Sequence, residues 1–277
     1  MDYTLNCNGR LLSLATPQVM GIMNVTPDSF YAASRQQTET AMAARVEEIL
    51  TQGGSIIDVG ACSTRPGGDP VSETDEMERL RQALAVVRRE TPDAIVSIDT
   101  FRPTVARMAV EEFGADIINE VGAPANSSLF TLHSSLPMFH MVARLHVPYI
   151  YMSCGATMKE ILMDCAESVA QLRTMGQKDI VLDPGFGFGK TLEQNYEVMN
   201  CLERMQMTRL PILVGVSRKS MIYKLLDCQP EQALNGTTAL NTMALLKGAD
   251  ILRVHDVREA VECVKIMAAT QSLHPVQ

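Results

Sequence analysis

Residues 182–191 of this sequence read LDPGFGFGKT and follow directly on the β-branched pair Ile180 and Val181. A short apolar run that ends in the carboxylate of Asp183 and then breaks at Pro-Gly predicts a buried strand with Asp183 at its carboxyl end. The three glycines at alternate positions let the backbone take φ > 0 or approach a ligand closely. The two phenylalanines between them suit either a flat substrate or the core.

Two nucleotide-binding motifs are similar to this loop but do not match it. A P-loop requires Gly five residues before its Gly-Lys-Thr, and Pro184 stands at that position before Gly189. The third glycine also comes one residue too early for the Gly-x-Gly-x-x-Gly of a dinucleotide-binding turn. By itself, the stretch fits a plain strand-to-helix turn as well as it fits a ligand-binding loop.

Composition narrows the class of protein. The 277 residues are 46% hydrophobic and 20% charged, and 24 basic against 32 acidic residues give a net charge of −8. This acidic balance argues against a general nucleic-acid binder. No signal peptide is visible at the start, and no apolar run approaches the length of a membrane span. Seven scattered cysteines without a Cys-x-x-Cys pair indicate reduced thiols. We therefore expect a cytoplasmic protein that binds neither nucleic acid nor membrane.

The chain repeats one pattern, in which a short apolar run, a polar loop and an amphipathic segment follow one another. Strands are predicted at 19–23, 56–59, 94–98, 116–118, 149–152, 180–182, 211–214 and 250–254. Helices are predicted at about 39–52, after the capping pair Ser72 and Asp75, from Pro103, and at about 129–145, 157–175, 192–205, 231–247 and 257–270. Eight such units in about 255 residues predict an α/β fold, a (β/α)₈ TIM barrel. The Asn8-Gly9 pair predicts an N-terminal β-hairpin closing the bottom.

Polar side chains stand at the carboxyl end of nearly every predicted strand. They are Asn24, Thr64, Arg65, Asp99, Asn119, Asp183, Arg218, Lys219, Arg253 and His255. In a barrel these ends converge on one mouth, where active sites lie. The sequence therefore predicts one site built from distant segments.

The acidic members of this set suit a planar, nitrogen-rich ring. Asp99, Asn119 and Asp183 offer oxygens that accept hydrogen bonds from adjacent ring N–H groups. Capping of the following helix is an alternative role for Asp99.

The basic members suit a phosphate group. Arg253 and His255 follow the eighth strand, and residues 217–220 (SRKS) add donors after the seventh, where barrels commonly bind phosphate. A snorkelling Arg and a core His are the alternatives.

Two long loops, 24–38 and 60–70, are predicted to cover this mouth as lids or binding loops. Asn24 offers a carbonyl oxygen to Mg²⁺, which would also touch the phosphates; its alternative is a turn residue before Pro27.

With these residues assembled, the sequence resembles dihydropteroate synthase over nearly its whole length. The matching stretches, in family order, are MGIMNVTPDSF (20–30), STRPG (63–67), SIDT (97–100), IINEV (117–121), LDPGFGFGK (182–190), GVSRKSM (215–221) and RVHDV (253–257). The resemblance implies one pterin-binding TIM-barrel domain over residues 1–277. It also implies condensation of 6-hydroxymethyl-7,8-dihydropterin pyrophosphate with p-aminobenzoate, by dissociative displacement of pyrophosphate.

The resemblance also implies residue roles. Asp99, Asn119, Asp183 and Lys219 would hold the pterin, and Asn24, Arg65, Arg253 and His255 would hold pyrophosphate and Mg²⁺. Thr64, Pro66, Phe188 and Ser220 would frame p-aminobenzoate, where sulfonamides would compete. Asp99, Asp183, Lys219 and Arg253 are the expected catalytic set. A homodimer through the last helices is expected, in which Met243, Leu246 and Met267 either form the interface or pack the core.

Three departures from the family pattern bear on the first loop and the ring pocket. Residues 31–34 read YAAS where the family commonly has SDGG, the family's His after the fifth strand is missing from residues 151–154 (YMSC), and Glu120 replaces Asp. A non-catalytic pterin-binding paralogue is therefore one alternative. A methyltetrahydrofolate-dependent methyltransferase domain of the same barrel type is another, although it has no use for the SRKS segment or the Arg253–His255 pair.

Overall fold

Parallel strands that follow one another around a barrel form the centre of the molecule. The computed structural model describes residues 3–25, 35–62, 71–121 and 136–272. Its strands are β1 (Thr4–Cys7), β2 (Arg10–Ser13), β3 (Gln18–Asn24), β4 (Ile56–Gly60), β5 (Ile95–Asp99), β6 (Ile117–Glu120), β7 (Tyr149–Met152), β8 (Ile180–Asp183), β9 (Leu213–Val214) and β10 (Ile251–Val254). β1 and β2 pair as an antiparallel hairpin, and the other eight described strands form one parallel sheet in the order β8-β7-β6-β5-β4-β3-β10-β9.

The sheet is closed by a short contact between its first and last strands. Leu182 of β8 pairs with Ile212, and its N–H donates to the carbonyl of Pro211 at 2.8 Å. β9 is shorter than the predicted strand 211–214, because Pro211 has no N–H to donate and Ile212 forms only an isolated bridge to Leu182, its N–H donating to the Asp250 side chain at 2.8 Å. The (β/α)₈ barrel predicted from the sequence is confirmed.

Helices connect the strands on the outside. They are α1 (Arg35–Thr51), α2 (Glu73–Glu90), α3 (Pro103–Phe113), α4 (Leu136–Leu145), α5 (Met158–Thr174), α6 (Leu192–Asn200), α7 (Ser220–Tyr223), α8 (Leu234–Leu246) and α9 (Val257–Ser272). The predicted caps are present: Ser72 accepts from the Asp75 N–H at 3.1 Å, and Pro103 is the first residue of α3.

Two predicted helices are interrupted in the structure, and one short helix was not predicted. The segment predicted at 192–205 divides into α6 and a 3₁₀ helix (Leu202–Thr208), and the one predicted at 231–247 begins with a 3₁₀ turn (Pro230–Gln232) before α8. The short α7 was not predicted, because four residues carry too little periodicity to be recognised. Of the helix predicted at 129–145, residues 136–145 are helical, and 129–135 lie outside the described residues.

The hairpin lies at the amino-terminal end of the barrel. Asn8 and Gly9 both have positive φ (54° and 87°), which is the conformation that a tight hairpin turn requires. The apolar side chains of the hairpin pack on the lowest interior layer of the barrel; this cluster contains Leu5, Cys7, Leu12, Leu14, Met20, Ile56, Ile117, Ile150, Val181, Leu213 and Ile251. With its lower end filled, the barrel can admit a ligand only at the opposite, carboxyl end. Among the described residues, no helix is long and apolar enough to cross a membrane.

Candidate active site

The last turns of the strands bring acidic and amide side chains together at the carboxyl end of the barrel. Asp99 ends β5, Asp183 ends β8 and Asn119 is the third residue of β6. All three side chains are buried, with residue exposures of 8%, 5% and 1%. A buried carboxylate or amide requires partners, so the partners of these groups define what the site can hold.

Arg253 of β10 joins two of the barrel's acids. Its Nε donates to Asp58 Oδ2 at 2.6 Å, and its Nη2 donates to Asp99 Oδ2 at 2.5 Å. Asp58 lies in the middle of β4 and is completely buried. Sequence reasoning missed it, although a carboxylate within the apolar run IIDV is costly to bury without a function or a partner. Arg253 is therefore a cation held between two carboxylates, with 15% of its side chain exposed, and not a snorkelling arginine.

The capping role considered for Asp99 does not occur. α3 has Arg102 at its N-cap position and no side-chain cap there, while the Arg102 N–H donates to Thr100 Oγ1 at 3.2 Å. The carboxylate of Asp99 points instead to Arg253.

The electrostatics of this group follow from burial. Burial raises the pKa of Asp99; the Arg253 charge opposes that shift and the Asp58 carboxylate adds to it. Burial alone would lower the pKa of Arg253, but Asp58 and Asp99 together raise it above the ordinary arginine value. When both acids are ionised, the group carries a net negative charge that favours a cation or a proton-donating ring in the barrel mouth.

Asn119 adds an acceptor without a partner. Its Nδ2 donates weakly to the two Asp58 oxygens at 3.3 and 3.4 Å. Its Oδ1 is buried and has no hydrogen-bond partner within the described part of the chain. An unmatched buried acceptor costs about 1–3 kcal/mol, which a ligand N–H would recover.

The glycine-rich loop after β8 places a lysine over the mouth. Gly185, Gly187 and Gly189 all have positive φ (69°, 81° and 64°), as the sequence suggested. A Cβ at Gly185 would lie 2.2 Å from the Ser153 carbonyl oxygen, so only glycine fits there. The resulting turn directs the Phe186 carbonyl to Lys219.

Lys219 is held by this loop from two sides. Its Nζ donates to the Phe186 carbonyl at 2.5 Å and lies 4.7 Å from the centre of the Phe188 ring. Burial lowers the pKa of Lys219 to about 8, against the opposing pull of the Asp183 carboxylate. Burial raises the pKa of Asp183, whose Oδ1 accepts the Gly185 N–H at 2.7 Å. The Asp183 carboxyl group, with its raised pKa, and the Lys219 amine, with its lowered pKa, thus face the same opening.

Residues 217–220 (SRKS), which follow β9, have different roles: some face the site, and others hold the surrounding loops together. Ser217 Oγ accepts the backbone N–H of His255 and lies 3.1 Å from its Nδ1, so the hydroxyl orients this partly exposed imidazole. Arg218 forms a bidentate pair with Asp256 at 2.6 and 3.0 Å. Sequence reasoning counted Arg218 among the phosphate donors; in the structure it instead joins the loops after β9 and β10. Ser220 is the first residue of α7 and is partly exposed.

Some of the predicted site residues cannot be compared with the structure. Thr64, Arg65 and Pro66, and residues 31–34 of the first loop, lie outside the described residues. Asn24 is exposed at the end of β3. The described residues contain no group of three or more His, Cys, Asp or Glu side chains arranged to hold a metal. Asn24 alone supplies one neutral oxygen, which fits only a Mg²⁺ that keeps most of its waters and takes further oxygens from its substrate.

The unusual residues at the ends of β6 and β7 have hydrogen-bond partners within the protein. The Tyr149 hydroxyl donates to the Glu120 carboxylate, and the Tyr151 hydroxyl donates to Asp164 at 2.9 Å. Ser153, in the YMSC segment, donates its N–H to the Asp183 carbonyl at 2.9 Å. Burial raises the pKa of Cys154 to about 11, so this thiol is not an activated nucleophile.

Comparison with known proteins gives one consistent result. A family model described as "pterin binding enzyme" matches residues 20–255. The chain is 35% identical to the dihydropteroate synthase of Escherichia coli (strain K12) over 274 residues, which cover 97% of this chain and 96% of that protein. It is 38% identical to that of Clostridium beijerinckii over 257 residues, covering 90% and 92%.

Solved structures agree with the sequence comparison. Xanthomonas albilineans dihydropteroate synthase with 4-aminobenzoic acid is similar with a TM-score of 0.87 and 33% identity, covering 99% of this chain and 100% of that one. The Yersinia pestis enzyme with a pterine-sulfa conjugate is similar with a TM-score of 0.82 and 30% identity, covering 98% and 100%.

Proposed function

This chain belongs to the pterin-binding enzyme family, and from that premise we propose that it acts as a dihydropteroate synthase. The enzyme transfers the pterin-methyl group of 6-hydroxymethyl-7,8-dihydropterin pyrophosphate to the amine of p-aminobenzoate and releases pyrophosphate. The proposal rests on the polar carboxyl end of the barrel. There the buried Oδ1 of Asn119 and the buried carboxylate of Asp183 can accept hydrogen bonds from a ligand.

The pterin is recognised through its N–H groups. Asn119 Oδ1 has no partner within the described residues, and Asp183 Oδ1 is bound to only one backbone N–H. A carboxylate has about four acceptor sites, so Asp183 retains capacity for an amidine-like ring edge. Lys219 supplies a donor for the ring carbonyl from the opposite direction.

The reaction requires separated charges of opposite sign. When pyrophosphate leaves before the amine attacks, positive charge develops on the pterin methylene and negative charge on the leaving group. The Asp58–Arg253–Asp99 group and Asp183 stabilise the first charge, because their carboxylates are buried and held in place before the reaction. No enzyme nucleophile is needed.

The leaving group is assigned to the basic side of the mouth. The two carboxylate contacts of Arg253 use two of its five N–H donors, so the same side chain retains donors for a phosphate oxygen. His255, oriented by Ser217, and Arg65 complete the proposed pyrophosphate site. Mg²⁺, held by Asn24 and the diphosphate, would supply further positive charge when bound.

The amine substrate is assigned to the neighbouring surface. Phe188 lies under the Lys219 ammonium and is half-buried, which leaves part of its ring for an aromatic acid. Ser220, Thr64 and Pro66 form the rest of the proposed p-aminobenzoate pocket. We expect sulfonamides to compete there, because the Yersinia pestis dihydropteroate synthase, a relative of this chain, forms a complex with a sulfonamide drug.

The experiment is incubation of the purified protein with dihydropterin pyrophosphate, Mg²⁺ and p-aminobenzoate, with detection of pyrophosphate and dihydropteroate. Formation of both products at equal rates is expected. A protein that binds the pterin and releases neither product is the non-catalytic paralogue instead. Methyl transfer from methyltetrahydrofolate to a corrinoid would identify the methyltransferase alternative, which the Ser217–His255 contact does not favour.

Assembly and location complete the proposal. Leu246 of α8 and Ile266 of α9 are each 65% exposed, and Met243 is also exposed, so these helices present apolar surface for a homodimer. Met267 is buried and packs the core. Sedimentation tests the dimer. The scattered cysteines support a cytoplasmic location, where thiols stay reduced.

A further inference from the structure

One partly buried contact beside the mouth joins the carboxyl ends of two neighbouring strands, β3 and β10. Arg45 lies on α1, and its guanidinium reaches the carboxyl ends of both β3 and β10. Nε and Nη2 both donate to the Ile22 carbonyl at 3.1 Å, and Nη2 also donates to the His255 carbonyl at 2.7 Å. The remaining nitrogen, Nη1, pairs with Glu48 one turn later at 2.6 Å.

The position of this contact is set by the strand register. The pairing between β3 and β10 ends at Gly21 opposite Val254. Beyond that point β3 stays paired with β4 up to Asn24 but no longer pairs with β10, and the chain after β10 continues to His255. Arg45 therefore replaces strand pairing where the β3–β10 junction opens.

The two strand ends that Arg45 holds carry the proposed ligands of the diphosphate. Asn24 is two residues after Ile22, and His255 is the residue whose carbonyl Arg45 binds. Ser217 fixes the imidazole of His255 from the β9 side, while Arg45 fixes its backbone from the β3 side. Without Arg45, two carbonyls lose charge-assisted hydrogen bonds, and beyond the last β3–β10 pair the separation of Asn24 and His255 loses its direct link across the junction.

We propose that Arg45 is a positioning residue for diphosphate binding. It sets the separation of Asn24 and His255 without itself contacting the pterin or p-aminobenzoate. This inference rests on the proposed function, and it adds a residue on the outer helix layer that sequence reasoning did not single out.

The test is binding rather than turnover. Calorimetry measures the affinity of the wild type and of Arg45→Met for inorganic pyrophosphate with Mg²⁺, and separately for 6-hydroxymethylpterin, which lacks the diphosphate. We expect Arg45→Met to weaken pyrophosphate binding by about tenfold or more, as for loss of one charge-assisted hydrogen bond. Affinity for the pterin alone should change less than about twofold, which a general structural defect would not permit.

A conservative variant and a matched control separate positioning from stability. Arg45→Lys keeps the charge but cannot span two carbonyls, so its pyrophosphate affinity should lie between those of the wild type and Arg45→Met. Arg88 is the control, because its guanidinium similarly donates to the carbonyls of Phe113, Gly114 and Ala94 at the amino end of the barrel. Arg88→Met should lower the melting temperature and leave both affinities unchanged.

The outcomes are distinct. A wild type that binds neither ligand and forms no dihydropteroate overturns the proposed function and this inference with it. A wild type that binds both, together with Arg45→Lys and Arg45→Met variants of unchanged pyrophosphate affinity, overturns the inference alone. If Arg45→Met does not fold, Arg45→Lys decides the question, and wild-type affinity in that variant is the refuting result.

Discussion

Replacing Asp58 by Asn removes one of the two carboxylates that hold Arg253 while keeping the size of the side chain. Asp58 Oδ2 is 2.6 Å from Arg253 Nε and fully buried. A hydrogen bond between charged groups contributes about 1.5–3 kcal/mol. Because Asp99 still holds Arg253 at 2.5 Å, the loss should stay below the ~3–5 kcal/mol of breaking an isolated buried pair.

Two measurable consequences follow from this magnitude. The free energy of unfolding should fall by about 1.5–3 kcal/mol, which lowers the melting temperature by roughly 3–9 °C in a chain of this size. Arg253 should turn toward Asp99 and lose its alignment with the leaving group. If the Asp58–Arg253 hydrogen bond also holds Arg253 in place in the transition state, kcat/KM for dihydropterin pyrophosphate falls about 10- to 150-fold.

The assays are thermal unfolding followed by circular dichroism and pyrophosphate release at saturating p-aminobenzoate. Ser97→Ala is the matched control, because Ser97 pairs with Asp58 in the β4–β5 register and its buried Oγ has no partner in the described structure. Removing an unsatisfied hydroxyl should be nearly neutral for both assays. Wild-type turnover in Asp58→Asn, or an equal loss in Ser97→Ala, would refute the view that Asp58 acts through Arg253.

Three further changes test separate parts of the molecule. Lys219→Met should reduce turnover strongly yet raise stability at pH 7 by at most about 3 kcal/mol, because burial lowers the lysine pKa from 10.5 to about 8 and each pKa unit corresponds to about 1.4 kcal/mol. This stability gain should shrink as the pH rises above about 8, where the wild-type amine becomes neutral; a gain that grows would contradict the assignment. Asp116→Asn at the barrel bottom weakens the contacts of a fully buried carboxylate with the partly exposed Arg10 and Arg88, so unfolding free energy should fall by about 1.5–3 kcal/mol while kcat per folded molecule stays unchanged. Gly185→Ala should damage folding and activity far more than Gly189→Ala, because a Cβ at Gly185 would lie 2.2 Å from a backbone oxygen whereas one at Gly189 would lie 4.0 Å from its nearest neighbour. Equal effects of the two substitutions in expression and turnover assays would count against the loop geometry.

Local sequence signals determined the elements of this fold. Apolar runs marked the strands, the Ser72–Asp75 cap and Pro103 marked two helix starts, and alternating glycines indicated the positive φ angles of the loop after β8. These features depend on neighbouring residues only, so a single sequence contains them. Where the local signal was weak, as at the short α7, sequence reasoning failed.

The charged residues at the strand ends were also recognisable in the sequence, but their pairing was not. Arg253 meets Asp58 and Asp99 across 195 and 154 residues of chain, and only the register of β10, β3, β4 and β5 decides that these groups face one another. The same long-range register pairs Arg218 with Asp256, so that Arg218 does not face the mouth, and it places Arg45 at the β3–β10 junction. A side chain's type is a local property, whereas its partner depends on how the strands are closed into a barrel.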